Sequence, residues 1–172
     1  MVKNRIFVTN KLSNAELSRK TGYYLGYGVY NDLSLPGSYW SWELGLGSRG
    51  YVAEFGDSKT SLMAHNIQFA PSVGFKYEVY DDVKVDLHLG LYTAIDYAGR
   101  IKYEDGDYEE KANISDFDDE YNRFDLGLGY GFGVWYQKKY NLDFSFQNGF
   151  VNSFSDGKNK TRNFMLRLGY AF

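Results

Sequence analysis

Apolar and aromatic side chains recur at every second position along most of this chain, in segments separated by polar connections. Period two marks a β-strand, whose successive side chains fall on opposite faces. Eight such segments can be drawn. The fifth sets Val83, Val85, Leu87, Leu89, Leu91, Ile95 and Tyr97 against Lys84, Asp86, His88, Gly90, Tyr92, Asp96 and Ala98. The sixth sets Phe124, Leu126, Leu128, Tyr130, Phe132 and Val134 against Asp125 and a run of glycines. The eighth ends the chain, with Phe164, Leu166, Leu168, Tyr170 and Phe172 alternating with Met165, Arg167, Gly169 and Ala171. The second, third and fourth span residues 21–32, 39–54 and 62–79, and the seventh starts at Tyr140. The first, residues 2–9, is the weakest, because Asn4 interrupts the face of Val2, Ile6 and Val8. It is included because a closed barrel needs a partner for its last strand.

The connections alternate in length. Residues 33–38, 80–82 and 137–139 make short turns, whereas "NKLSNAELSRK", "FGDSKTS", residues 101–121 and "NSFSDGKNK" are longer and more polar. Short turns at one end and long loops at the other predict an all-β fold. The architecture expected is an eight-stranded antiparallel up-and-down transmembrane barrel over residues 1–172, with periplasmic termini and four longer extracellular loops.

Alternation alone leaves open which face is inside, and a soluble lipocalin-like barrel around an apolar ligand shows the same period. Volume and charge favour lipid outside. An eight-stranded barrel has room inside only for side chains or one small ligand. The Tyr, Phe, Trp, Leu, Ile and Val on the apolar face are too bulky for it, whereas the Gly, Ala and Ser of the other face suit it. That second face carries Arg49, Lys76, Lys84, Arg100, Arg123 and Arg167 against Glu43, Glu78, Asp86, Asp96, Asp125 and Asp143, a balance suited to an enclosed network. With Tyr24, Tyr30, Tyr51, Tyr92 and Trp135 these charges should plug the lumen. Trp40, Trp42, Tyr77, Tyr136, Tyr140, Tyr170 and Phe172 near the short turns, and Tyr23, Tyr97, Phe124 and Phe150 near the long loops, predict two aromatic girdles.

Composition agrees. The 17 Tyr, 13 Phe and 19 Gly among 172 residues favour curved strands. Mean hydropathy is -0.48, as a polar lumen and polar loops allow. A net charge of -3 gives no reason to expect nucleic acid, and the lack of cysteine excludes disulfides and thiol chemistry. "MVKNRIFVTN" has no apolar h-region, so an exported protein would be represented here in its mature form.

With these residues in place, the chain resembles the small eight-stranded bacterial outer-membrane barrels. The alternating Phe164, Leu166, Leu168, Tyr170 and Phe172 look like the signal read by the barrel-assembly machinery. "FDLGLGYGFGV" and "RNFMLRLGYAF" look like the Bacteroidetes-type outer-membrane β-barrel domain, also called PorT-like. The resemblance implies a bacterial outer-membrane location. Its partners would be outer-membrane lipid and the assembly machinery during biogenesis. It says little about activity.

Chemistry in the sequence is sparse. Some small outer-membrane barrels modify lipid A with a His, a Ser and an acid. Only His65 and His88 are present, with no neighbouring Ser and acid on the same lipid-side face to complete a triad. His88 is expected in the lumen beside Asp86, and His65 outward near the loops. No catalytic residue, cofactor or metal set is assigned. The third long loop carries Glu104, Asp105, Asp107, Glu109, Glu110, Asp116, Asp118, Asp119 and Glu120 against Lys102 and Lys111. Its spacing fits no EF-hand, so a mobile, solvated acidic loop is expected. The functional expectation is a non-enzymatic surface protein that binds an extracellular or envelope partner through its loops. The alternatives are a barrel subunit of a secretion or envelope assembly, and the soluble barrel.

Overall fold

The computed structural model describes residues 3–6, 16–19, 21–55, 58–105, 108–117, 121–153 and 160–171. The strands are β1 (Lys3–Ile6), β2 (Glu16–Arg19), β3 (Thr21–Gly22), β4 (Tyr24–Asp32), β5 (Ser38–Phe55), β6 (Ser58–Tyr80), β7 (Val83–Asp105), β8 (Tyr108–Asn113), β9 (Phe124–Tyr136), β10 (Tyr140–Asn152) and β11 (Lys160–Tyr170). A 3-10 turn, Ile114–Phe117, follows β8. β2, β3 and β4 are pieces of one interrupted strand, since β2 and β4 pair with successive stretches of β5. Counting them once, and setting β8 aside, eight antiparallel walls close on themselves. β1 makes the closure, with Asn4 opposite both Met165 of β11 and Gly22 of β3. This fixes the first-strand register.

The faces fall as the volume argument requires. Leu25 is 74 % exposed, Leu87 66 % and Leu168 66 %, all looking outward, while Tyr92, Ala94 and Asp96 are buried in the lumen. The soluble alternative is thereby overturned, because its apolar faces would have to point in. Inward glycines make room for large rings. A Cβ on Gly45 would lie 2.2 Å from the Tyr24 hydroxyl, and one on Gly74 would lie 2.4 Å from the Tyr39 ring. Side chains would not fit at either position, so a Gly-rich face is what a narrow lumen filled with tyrosines needs.

The two ends differ. At the short-turn end, Asp82, Gln137, Lys138 and Gly37 take positive φ and reverse the chain within a few residues. At the other end the strands run farther than the sequence suggests. β2 occupies part of residues 10–20, and β5 and β6 stay paired out to Phe55 and Ser58. β7 continues to Asp105 and folds back on β8, with Ile101 opposite Ala112 and Asp105 opposite Tyr108. The expected mobile acidic loop is therefore mostly a hairpin. The ladder satisfies its backbone groups, and Lys102, paired with Glu109 across the strands and with Glu104 on its own, and Lys111, paired with Glu109, offset part of its charge.

One lumen assignment is corrected. Tyr97 is an extra residue in β7, since His65 pairs with Ala98 but Asn66 with Asp96. A bulge of this kind shifts the alternation by one. Arg100 consequently lies opposite Met63 on the outer side and is exposed, and is no part of the lumen network.

Candidate functional site

Two charge clusters line the lumen. In the cluster nearer the long connections, Arg49 of β5 reaches Asp96 of β7 at 2.7 Å and Asp125 of β9 at 2.6 Å. Tyr92 donates to Asp125 at 3.1 Å, and the Tyr121 hydroxyl donates to Asp96. Nearer the short turns, Arg167 of β11 reaches Glu43 at 2.9 Å and Asp143 at 2.7 Å. Tyr24 donates to Glu43 and Ser145 to Asp143, each at 2.5 Å. Asp86 accepts from Tyr39 at 3.0 Å and from the Trp135 indole at 2.5 Å, and lies 3.0 Å from His88 Nδ1. Lys76 places its ammonium over the rings of Tyr30, Tyr39 and Trp135, at 4.9, 4.6 and 4.3 Å. Lys84 meets Glu78 at 3.0 Å by the turn-side rim. Arg123 is half-buried just before β9, where its carbonyl accepts from the Asp96 amide. Each of these carboxylates thus has a charged or donor partner, as burial requires.

Between the clusters lies a cavity of about 50 Å³, bordered by His88, Asp143, Gln68 and Tyr92. It has room for a few waters, and Arg49 and Arg167 with their partners stand above and below it. Reconstituted in planar bilayers, the barrel is expected to show no steady conductance. Uniform, reproducible open channels would reject the plugged lumen.

The mouth at the other end is closed by apolar packing. Ile114 and Tyr121 are buried against Leu62, with Tyr51 and Ile101 beside them. This cluster pins the base of the β7–β8 hairpin. Farther out, Lys102 meets Glu104 at 2.6 Å and Glu109 at 3.0 Å, and Lys111 also pairs with Glu109. Hydrogen bonds from Lys111 and Lys102 hold the Glu109 carboxyl below the usual carboxylate range. Glu104, Asp105, Glu110 and Asp116 complete the described acidic residues. Asp107, Asp118, Asp119 and Glu120 lie outside the described residues.

The remaining sequence assignments can be located. Trp40, Tyr77, Tyr136, Tyr140 and Tyr170 are exposed toward the short turns, with Trp42 half-buried among them. Tyr23, Tyr97, Phe124 and Phe150 are exposed at the opposite end. His65 sits outward among the second set, 3.2 Å from the Tyr23 hydroxyl and beside the Tyr97 ring. No Ser and acid accompany it among its described partners. Phe164, Leu166 and Leu168 share the outer face of β11 with Tyr170, and Phe172 lies outside the described residues. Sequence reading missed the apolar plug, although isolated Ile114 and Tyr121 within an acidic stretch were a signal for it.

A closed eight-stranded barrel with an apolar aromatic exterior and a packed, ion-paired lumen has the architecture of a membrane-spanning β-barrel. The chain belongs to the outer membrane protein beta-barrel domain family, whose pattern matches residues 4–155. Among solved structures it is similar to Ail, the attachment invasion locus protein of Yersinia pestis, at 14% identity and a TM-score of 0.31, over 99% of this chain and 97% of that one. Neisserial surface protein A is similar at 12% identity and a TM-score of 0.36, over 99% and 96%. The KdgM porin is similar at 14% identity and a TM-score of 0.26, over 100% and 99%. No curated protein matches the chain.

Proposed function

We propose that the protein sits in a bacterial outer membrane with its short turns toward the periplasm. There it acts without catalysis, contacting a cationic partner through the β7–β8 hairpin. The observation that carries this reading is the hairpin itself. It continues the wall beside β6 out to Asp105, is pinned at its base by Ile114, and presents Glu104, Asp105, Glu109 and Glu110. The other surfaces among the described residues have other work. The outer wall suits lipid, and the lumen is filled by its own ion pairs. Opposite charge steers association and weakens with salt. The Gly-rich β9 and the apolar outer face of β11 support placing the chain in the Bacteroidetes-type branch.

In nanodiscs, the barrel is expected to capture a lysine-rich peptide in a salt-sensitive way. Trimming residues 103–110 to an Asn-Gly turn keeps Ile114 and Tyr121 in place. It is expected to cost about tenfold in affinity, or ~1.4 kcal/mol, while the unboiled gel form is unchanged. Capture that survives the trimming would reject the hairpin as the contact surface.

A further inference from the structure

We propose that His88 and Asp143 hold a divalent metal ion of the zinc class in the lumen, with Asp86 positioning the imidazole. The three side chains offer ligand atoms within 4.8 Å of one another. They converge across β9, where glycine makes this possible. Gly133 is the register partner of both Asp86 and Asp143, and Gly131 that of His88. A Cβ on Gly131 would come within 2.7 Å of His88 Nε2.

Hydrogen bonding fixes the tautomer. Asp86 is 3.0 Å from Nδ1, and a carboxylate only accepts, so Nδ1 carries the proton. Nε2 then presents a lone pair. It is buried, makes no hydrogen bond, and faces Asp143 Oδ2 at 3.5 Å. Two acceptors facing each other repel unless a cation lies between them. A separation of 3.5 Å is long for a hydrogen bond. It is close to the edge of a tetrahedron with arms of about 2.1 Å, the usual zinc–nitrogen and zinc–oxygen distance.

The surroundings match a metal site. Asp86 is itself held by Tyr39 and Trp135, giving a carboxylate–histidine–metal arrangement. Asp143 Oδ1 is occupied by Arg167 and Ser145, which leaves Oδ2 for the ion. Gln68, only 5 % exposed, and Asn141 border the same cavity, and each has a buried amide N–H with no acceptor. Metal-bound water would accept from them. One imidazole, one carboxylate and water favour zinc, cobalt or nickel over calcium.

The test uses the full chain refolded in detergent and stripped with chelator. Titration with Zn²⁺ by calorimetry, and with Co²⁺ by visible absorption, should show one equivalent bound. His88→Gln and Asp143→Asn should abolish it. Asp86→Asn should weaken it by roughly 10–100-fold, and His65→Gln should leave it unchanged. The unboiled gel form reports folding. Where a variant does not fold, paramagnetic shifts in the Co²⁺-loaded wild type should centre on the His88 imidazole. A folded wild type without one-to-one uptake, uptake that survives His88→Gln, or shifts centred elsewhere would each overturn the site. Stability that follows pH through His88 with no metal uptake would assign the position to a proton and also overturn it.

Discussion

Arg49→Met is expected to destabilise the folded barrel by about 3–5 kcal/mol, as removal of one partner from a buried ion pair does. Urea unfolding in lipid vesicles would measure it. Arg49 is 7 % exposed, Asp125 3 % and Asp96 fully buried. Methionine fills much of the same volume, so the loss reports on two carboxylates left in the lumen, with the Tyr92 and Tyr121 hydroxyls as described donors to them. The charge interpretation makes a second demand. Adding Asp96→Asn and Asp125→Asn to Arg49→Met removes the stranded charges and should recover most of the stability, because neutral replacements of a buried triad are often tolerated. A single-variant loss below about 1 kcal/mol, or no recovery in the triple variant, would mean that the cluster is wetter than its packing implies.

The wall of this barrel was legible in the sequence because period two has a single geometric meaning. A strand such as "VKVDLHLGLY" can bury one face only, and the bulky face cannot fit inside eight strands. Arg49, Asp96, Asp125, Asp143 and Arg167 were all placed inward by parity alone. Arg100 was misplaced because parity counts residues and cannot see a bulge, and Tyr97 supplies one. The acidic hairpin was misjudged for a related reason. Charge density suggested a solvated loop, but the pairing of Lys102 with Glu109 and the alternation around Ile101 stabilise a ladder that composition does not reveal.

Site legibility followed sequence distance. Asp86 and His88, two residues apart on one strand, were seen as neighbours. Asp143 joins them only because β7, β9 and β10 are adjacent and Gly131 and Gly133 leave the path across β9 open. Nothing local in the sequence encodes that meeting. The same holds for Lys76, whose partners Tyr30, Tyr39 and Trp135 come from three other strands. Pairings across a barrel depend on register, which a period-two pattern constrains only to odd or even.

Leu89→Arg is expected to cost about 2–4 kcal/mol in a bilayer, whereas Tyr77→Arg should cost roughly 0–1 kcal/mol, the depth dependence found for basic residues on the lipid face of a barrel. Both positions look outward and are comparably open, Leu89 at 49 % and Tyr77 at 66 %. Leu89 lies midway along the wall, opposite Val73 and Tyr130, while Tyr77 is close to the turn between β6 and β7. In water, arginine at either position would be nearly neutral, as surface substitutions usually are. The contrast therefore measures the medium around the wall. Unfolding titrations of both variants in lipid vesicles should separate them by at least 1 kcal/mol, and Leu89→Arg should fold more slowly into thicker bilayers. Equal effects at the two depths would remove lipid from the outer face and reopen the assignment of every exposed leucine. A graded cost would fix the membrane's position along the barrel and leave the β7–β8 hairpin outside it.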